Sequence, residues 1–142
     1  MPSIAPYLLY EDAAAALDFL QRAFGFEEVL RHAAEDGTVN HAEMRLGEGI
    51  IYVGGPGGEF RNPARMGAAT VLVCVTVEDV DGVCERARAA GAEISEEPAD
   101  QAYGERRFAA RDPEGHVWYV AQPIGEVAPE DWGATAPQGE RP

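Results

Sequence analysis

Residues 111–118 read Arg-Asp-Pro-Glu-Gly-His-Val-Trp, in a chain of 142 residues. The Asp-Pro-Glu-Gly of 112–115 is typical of a β-turn, because proline presets the backbone early in the turn and glycine suits its end. The flanking segments, 106–111 and 116–121, are short and carry apolar, aromatic and β-branched residues, which favours strands. The stretch therefore predicts a β-hairpin late in the chain.

The same plan occurs twice along the sequence. Asp12 and Asp79 each precede an apolar helical stripe and are 67 residues apart, and Gly25 and Gly91 follow those stripes at a spacing of 66. Strand patterns around each stripe give the order β-α-β-β-β. Self-similarity at a fixed spacing indicates a duplicated supersecondary unit.

The repeat divides the chain into segments. We predict a first βαβββ module at 1–54, a Gly/Pro-rich linker at 55–68, a second βαβββ module at 69–123 and an irregular C-terminal tail at 124–142. Neither module is large enough to bury its sheet alone. The predicted fold is therefore α+β, with two tandem modules that form a curved mixed sheet around a cleft and carry their helices outside.

Local signals predict individual elements. Asp12 and Gly25 bound a helix over 13–24. In the second module, a short strand is expected at 92–96, followed by a loop through Pro98.

The charge balance excludes some partners. Eleven Lys and Arg residues against 25 Asp and Glu residues give a net charge of −14. Such a chain repels phosphate backbones and anionic lipids, so we expect neither a nucleic acid nor a membrane partner. No apolar run reaches the ~20 residues of a membrane helix, and the first residues lack a signal-peptide pattern. Cys74 and Cys84 lie in apolar patterns, which predicts buried free thiols in a reducing cytoplasm.

The chain resembles the vicinal oxygen chelate superfamily, which includes glyoxalase I, bleomycin-resistance proteins and extradiol dioxygenases. The resemblance covers about residues 4–123 and rests on residues 111–118 together with four shorter stretches, namely Tyr10-Glu11-Asp12, Phe24-Gly25-Phe26, His41-Ala42-Glu43-Met44-Arg45 and Tyr103-Gly104-Glu105-Arg106. It implies paired modules, a homodimer and a pocket for a small organic molecule. It does not imply one reaction, because this fold carries lyases, isomerases, oxygenases and pure binders.

The resemblance also implies where a metal ion would be bound. In enzymatic members the ligands come from the first and last strands of each module, and the matching positions here are Ala5, Tyr52, Leu72 and Tyr119. An alkyl side chain cannot coordinate, and a phenol with a pKa near ~10 is a poor ligand at neutral pH. We therefore expect neither a metal ion nor another cofactor.

Strand alternation predicts which side chains face the cleft. They are Tyr7, His41, Glu43, Arg45 and Tyr52 in the first module, and Leu72, Cys74, Arg107, Arg111 and Tyr119 in the second. His41 and Glu43 are the candidate catalytic acid–base pair, and the other eight are candidate ligand-binding residues. Arginines bind carboxylates or phosphates and tyrosines stack on rings, so we expect flat or aromatic anions, with Trp118 as a further ring.

Other interpretations remain open. His41, Glu43 and Arg45 on the third strand could also form a solvated sheet face. Arg107 and Arg111 could form ion pairs with a partner chain. Tyr52 and Tyr119 could be core residues that fill the position of the metal ion. His116 is expected to hydrogen-bond locally. The predicted function is metal-independent binding of a small organic molecule, as in bleomycin-resistance proteins. The alternative is a lyase, isomerase or dioxygenase-type enzyme, either metal-free through His41 and Glu43 or with a metal relocated to these two residues and Cys74.

Overall fold

The computed structural model describes residues 2–55 and 57–137. The predictions for residues 1, 56 and 138–142, at the start of the first module, in the linker and at the end of the tail, lie outside the described residues. The first module contains β1 (Tyr7–Leu9), α1 (Ala13–Phe24), β2 (Glu27–Ala33), β3 (Val39–Leu46) and β4 (Gly49–Gly54).

The second module repeats this order after a short linker helix. Its elements, with the linker helix first and a 3₁₀ turn last, are α2 (Pro63–Met66), β5 (Leu72–Thr76), α3 (Val80–Ala89), β6 (Glu93–Gln101), β7 (Glu105–Arg111), β8 (Val117–Pro123) and the turn at Pro129–Trp132. Among the described residues, no helix is both long and apolar enough to span a membrane.

The strands form two four-stranded mixed sheets, ordered β1-β4-β3-β2 and β5-β8-β7-β6. In each sheet the first strand is parallel to the last strand of its module, and the other pairings are antiparallel. Tyr7 is in register with Tyr52, and Cys74 with Tyr119, so both members of the second pair lie 67 residues after those of the first. The predicted α+β fold of two tandem βαβββ modules is confirmed.

The helix boundaries follow their capping residues. Asp12 Oδ1 accepts a hydrogen bond from Ala15 N at 3.0 Å, and Gly25 ends α1 with a φ of 83°, so the helix has the predicted bounds. At the end of α3, Ala90 is the C-cap and Gly91 follows it with a φ of 107°. The C-cap of the second helix therefore lies one residue before the predicted glycine.

The core lies between the two helices and the sheet faces they cover. Helices α1 and α3 pack against each other, so the opposite face of each sheet is left open. Trp118 is fully buried, with its ring centroid 5.0 Å from that of Phe24 and 5.8 Å from that of Phe26. The expectation that Trp118 belongs to the ligand pocket was wrong, because the alternation of β8 turns it toward the helices.

Three local predictions are corrected. Strand β6 continues through Pro98 to Gln101, because β6 is an edge strand and the pairing with β7 is irregular between Glu96 and Ala99, where proline is tolerated. Cys84 is buried as predicted, but Cys74 is exposed, since it lies on the uncovered face of β5. The tail is not wholly irregular, because it contains the 3₁₀ turn ending at Trp132.

The Asp112 carboxylate joins the two modules. Its Oδ2 accepts hydrogen bonds from Tyr10 Oη at 2.5 Å and from Trp118 Nε1 at 3.1 Å. Its Oδ1 accepts from the backbone N–H groups of Glu114 at 3.1 Å and His116 at 3.0 Å. Burial, and secondarily the negative charge of Asp112, raise the pKa of the Tyr10 phenol well above its usual value, so this hydroxyl remains a donor.

The other residues of the same turn reach back to the first module. The Glu114 carboxylate accepts from the backbone N–H of Glu11 at 2.6 Å, from that of Asp12 at 3.1 Å and from Asn62 Nδ2 at 2.7 Å. His116 Nε2 lies 2.8 Å from the carbonyl oxygen of Leu9. The expected local hydrogen bond of His116 is present through its backbone N–H to Asp112, and its side chain makes a second contact that crosses between the modules.

We predict that Asp112→Ala lowers the free energy of unfolding by about 3 kcal/mol or more, because it leaves several buried donors without an acceptor. Urea denaturation followed by far-UV circular dichroism measures the change. The control is Asp18→Ala, which removes an exposed ion pair with Arg22 and should cost less than ~1 kcal/mol. Equal effects of the two substitutions would contradict the assigned role of Asp112.

Candidate functional site

Three of the predicted residues form an aromatic cluster on the open face of the first sheet. Tyr7 Oη is hydrogen-bonded to His41 Nδ1 at 2.9 Å. The Tyr52 ring centroid lies 5.9 Å from that of Tyr7 and 5.5 Å from that of His41. Tyr7 is 48% exposed and the other two are half-buried, so the cluster is accessible from solvent.

Gly54 allows Tyr7 to approach His41. Gly54 pairs with His41 across the sheet. A Cβ at position 54 would lie 2.7 Å from Tyr7 Oη and 2.8 Å from the carbonyl oxygen of Asn40, which is too close for either contact. The tyrosine ring therefore occupies the space that any other residue at this position would fill.

The charged neighbours of this cluster differ in their availability. Glu43 Oε1 lies 3.9 Å from His41 Nε2, so the imidazole stands between a phenol and a carboxylate. Arg45 is ion-paired with Glu27 at 3.3 Å and is exposed. The geometry therefore suits His41 for proton transfer, whereas Arg45 already has a carboxylate partner.

The second sheet carries an arginine held between two tyrosines. Arg107 Nη1 donates to Tyr103 Oη at 2.6 Å, and its Cζ lies 4.5 Å from the centroid of the Tyr119 ring. Arg107 lies on β7, and its neighbours across the sheet are Ala99 on β6 and Ala121 on β8. Both of these neighbours have methyl side chains, and Arg107 is half-buried.

The two predicted arginines of this sheet differ in exposure and in their neighbours across the sheet. Within the described part of the chain, no ion pair joins Arg107 or Arg111 to a carboxylate. Arg111 is exposed and lies opposite Glu93, an acidic neighbour. Leu72 and Cys74 are exposed on β5, and Cys74 is in register with Tyr119. The ten predicted residues thus fall into one group on each sheet.

The donor set does not fit the metal of enzymatic relatives. The register places Tyr52 and Tyr119 at matching positions of the two sheets, with Tyr7 and Cys74 beside them. Within residues 2–55 and 57–137, no group of three His, Cys, Asp or Glu side chains is close enough to hold an ion. Within one chain, His41 and Glu43 on β3 and Cys74 on β5 therefore do not come together as the three-residue ion site of the relocated-metal alternative.

An apolar groove of about 560 Å³ runs between β1 and β5, with the linker along one side. Tyr7 lines it together with Phe60, Met66 and Val71, whose exposure of 65–70% is high for apolar side chains. Contiguous exposed apolar surface of this kind is typical of an interaction site.

Sequence reasoning missed two aromatic residues near Arg107. Tyr103 accepts the arginine's hydrogen bond, and the Trp132 ring centroid lies 5.5 Å from that of Tyr103. The spacing of four residues from Tyr103 to Arg107 across a turn is the only signal for the first contact. Nothing in the sequence pattern indicates the contact between Trp132 and Tyr103, because an irregular segment leads from β8 to Trp132.

Comparisons with known proteins agree on one family. A sequence profile of the Glyoxalase/Bleomycin resistance protein/Dioxygenase superfamily matches residues 3–120. An uncharacterised protein of Mycobacterium tuberculosis H37Rv is 35% identical over 131 residues, which cover 89% of this chain and 77% of that protein.

Solved structures show the same fold. TioX from Micromonospora sp. ML1 is 37% identical, with a TM-score of 0.69 over 89% of this chain and 98% of TioX. The fosfomycin resistance protein FosX of Listeria monocytogenes is 16% identical, with a TM-score of 0.64 over 92% of this chain and 97% of FosX. The similarity to FosX concerns the fold alone.

We predict that the purified protein carries well under one divalent ion per chain after dialysis, because the matching positions offer phenols and alkyl groups rather than imidazoles and carboxylates. Elemental analysis measures the content. About one zinc, nickel, iron or manganese ion per chain, lost in His41→Ala and retained in His32→Ala, would contradict this prediction.

Proposed function

Because the chain belongs to the Glyoxalase/Bleomycin resistance protein/Dioxygenase superfamily, we propose that it binds a small, planar organic anion without a metal ion. The observation that carries the proposal is the position of Arg107 on an open sheet face, between Tyr103 and Tyr119. Ligand pockets commonly combine aromatic walls with a few polar groups that fix orientation. The tyrosine ring supplies such a wall, and the guanidinium supplies the charge.

The electrostatic environment supports an anion at this position. The chain has a net charge of −14, and six of its arginines are ion-paired with carboxylates in the described residues. Arg107 instead donates one N–H to a neutral phenol, and its guanidinium lies over an aromatic ring. Its remaining donors can bind a carboxylate in the bidentate geometry that guanidinium groups favour.

We predict that 2-naphthoate binds the protein and that Arg107→Ala weakens binding by ~1.5–3 kcal/mol, the range for a hydrogen bond to a charged group. Isothermal titration calorimetry measures the affinity. Arg106→Ala is the matched control, because the neighbouring side chain pairs instead with Asp81 and Asp100. Equal losses in the two variants, or binding of cationic ligands only, would count against the proposal.

The proposal includes a homodimer. A binding site has to enclose most of the surface of a small ligand, whereas both clusters lie on sheet faces that one chain leaves open. The groove between β1 and β5 exposes Phe60, Met66 and Val71 beside the first cluster. A second copy of the chain would cover this apolar surface and supply the missing wall.

We predict that sedimentation at micromolar concentration gives twice the mass of one chain, and that Val71→Asp shifts the protein to monomer by burying a charge in the interface. Ile124→Asp is the control, since it alters an exposed apolar residue outside the groove. A wild-type protein that sediments as a monomer would refute the dimer.

The two cysteines support a cytoplasmic location as part of the same proposal. Cys74 and Cys84 are free thiols, and Cys74 is exposed. An exposed free thiol is better preserved in a reducing compartment.

A second candidate is a metal-free lyase or isomerase that uses His41 as acid or base. The observation that favours it is the placement of His41 between Tyr7 Oη at 2.9 Å and Glu43 Oε1 at 3.9 Å. Such an enzyme would lose turnover with little loss of binding in His41→Ala. A pure binder would show saturable affinity without turnover in either protein.

A further inference from the structure

The segment after β8 is fixed across the hairpin that joins β6 and β7. Ile124 N donates to the carbonyl oxygen of Gly104 at 2.9 Å. Gly104 has a φ of 93°, and a Cβ there would collide with the carbonyl oxygen of Gly125. The close crossing thus requires glycine at position 104, and it sets the path of the segment that follows.

This path ends with Trp132 against Tyr103, the residue that accepts the Arg107 hydrogen bond. Within the 3₁₀ turn that ends at Trp132, Asp131 N donates to the carbonyl oxygen of Ala128 at 3.0 Å, and just beyond it Ala134 N donates to that of Pro129 at 2.8 Å. The turn holds the indole against Tyr103, at a centroid separation of 5.5 Å and an interplanar angle of 56°.

The contacts continue without a break to the centre of the second sheet. Trp132 contacts Tyr103, the Tyr103 hydroxyl accepts from Arg107, and the Arg107 guanidinium lies over Tyr119. Trp132 is 45% exposed, although Tyr103 packs against its ring. An exposed aromatic surface is therefore connected, through Tyr103, to the only described arginine that is stacked on a tyrosine.

We propose that Trp132 contacts the ligand bound at Arg107 and makes the site selective for planar aromatic carboxylates over non-planar ones. The inference rests on the proposed function, to which it adds the ring-binding wall. Trp132 lies beyond residues 3–120, the part of the chain that the superfamily profile matches. The specificity would thus come from a segment that the shared fold does not determine.

Shape selectivity is the expected consequence of an indole wall. A flat ring stacks on the indole face with its full area, whereas a puckered ring touches it with a few hydrogens. A carboxylate on either ring can still reach Arg107. The contribution of Trp132 should therefore appear for one class of anion and not for the other.

The test measures affinities of two anions by isothermal titration calorimetry with the full-length protein. We expect Trp132→Leu to raise the dissociation constant of 2-naphthoate about tenfold and to change that of cyclohexanecarboxylate by less than about twofold. Trp132→Phe, which restores a flat ring, should recover most of the 2-naphthoate affinity. Equal losses for both anions would mean that Trp132 is only structural, and would overturn the inference.

A spectroscopic measurement separates contact from indirect effects. In protein labelled with 5-fluorotryptophan, Trp118 and Trp132 give two fluorine resonances, assigned with Trp132→Phe. Addition of 2-naphthoate should shift the Trp132 resonance and leave that of the fully buried Trp118 unchanged.

The outcomes distinguish this inference from the proposed function. Binding of 2-naphthoate that depends on Arg107 and leaves the Trp132 resonance unmoved would overturn the role of Trp132 while the proposed function stands. Failure of wild-type protein to bind 2-naphthoate at millimolar concentration would overturn both.

Discussion

The Asp112 carboxylate is the interaction on which the arrangement of the two modules depends. It accepts four hydrogen bonds, from the Tyr10 hydroxyl of the first module and from one indole and two backbone groups of the second. A buried carboxylate is stable only with such partners, since burial without them disfavours the charge. The positions of the four donor groups are therefore as strictly constrained as the position of the Asp112 carboxylate. Tyr10 has to follow β1 directly, and Trp118 has to face the helices.

This constraint places the buried core on one side of the two sheets and leaves the candidate site residues on the other. The buried core, with Phe24, Phe26 and Trp118, lies on the helix side of both sheets. Alternation along each strand then sends the intervening residues to the other side, among them Tyr52, which is half-buried. The open sheet faces carry the aromatic, basic and imidazole groups of the candidate site, because these side chains are not part of the core on the helix side.

Sequence reasoning predicted what depends on local rules and failed where distant segments meet. The caps at Asp12 and Gly25 fixed α1, and the repeat spacing predicted that the second module repeats the element order of the first. The face of each candidate site residue followed from alternation. Pattern alone could not show that Pro98 lies at an irregularity of an edge strand. Nor could it show that His116 reaches Leu9, because no periodicity encodes a contact between residues so far apart.

The composition of the chain bears on the kind of ligand that its open faces can recognise. The sequence contains no lysine, so all 11 of its Lys-plus-Arg residues are arginines. An ammonium group acts as a hydrated point charge, whereas a guanidinium is planar, stacks on aromatic rings and directs its donors. Distant acids are screened within ~8 Å at physiological ionic strength, so the local surroundings of Arg107 outweigh the overall negative charge. A planar cation that is stacked on Tyr119 and hydrogen-bonded to Tyr103, which itself contacts the exposed Trp132 ring, favours a ligand that is flat and negatively charged at one edge.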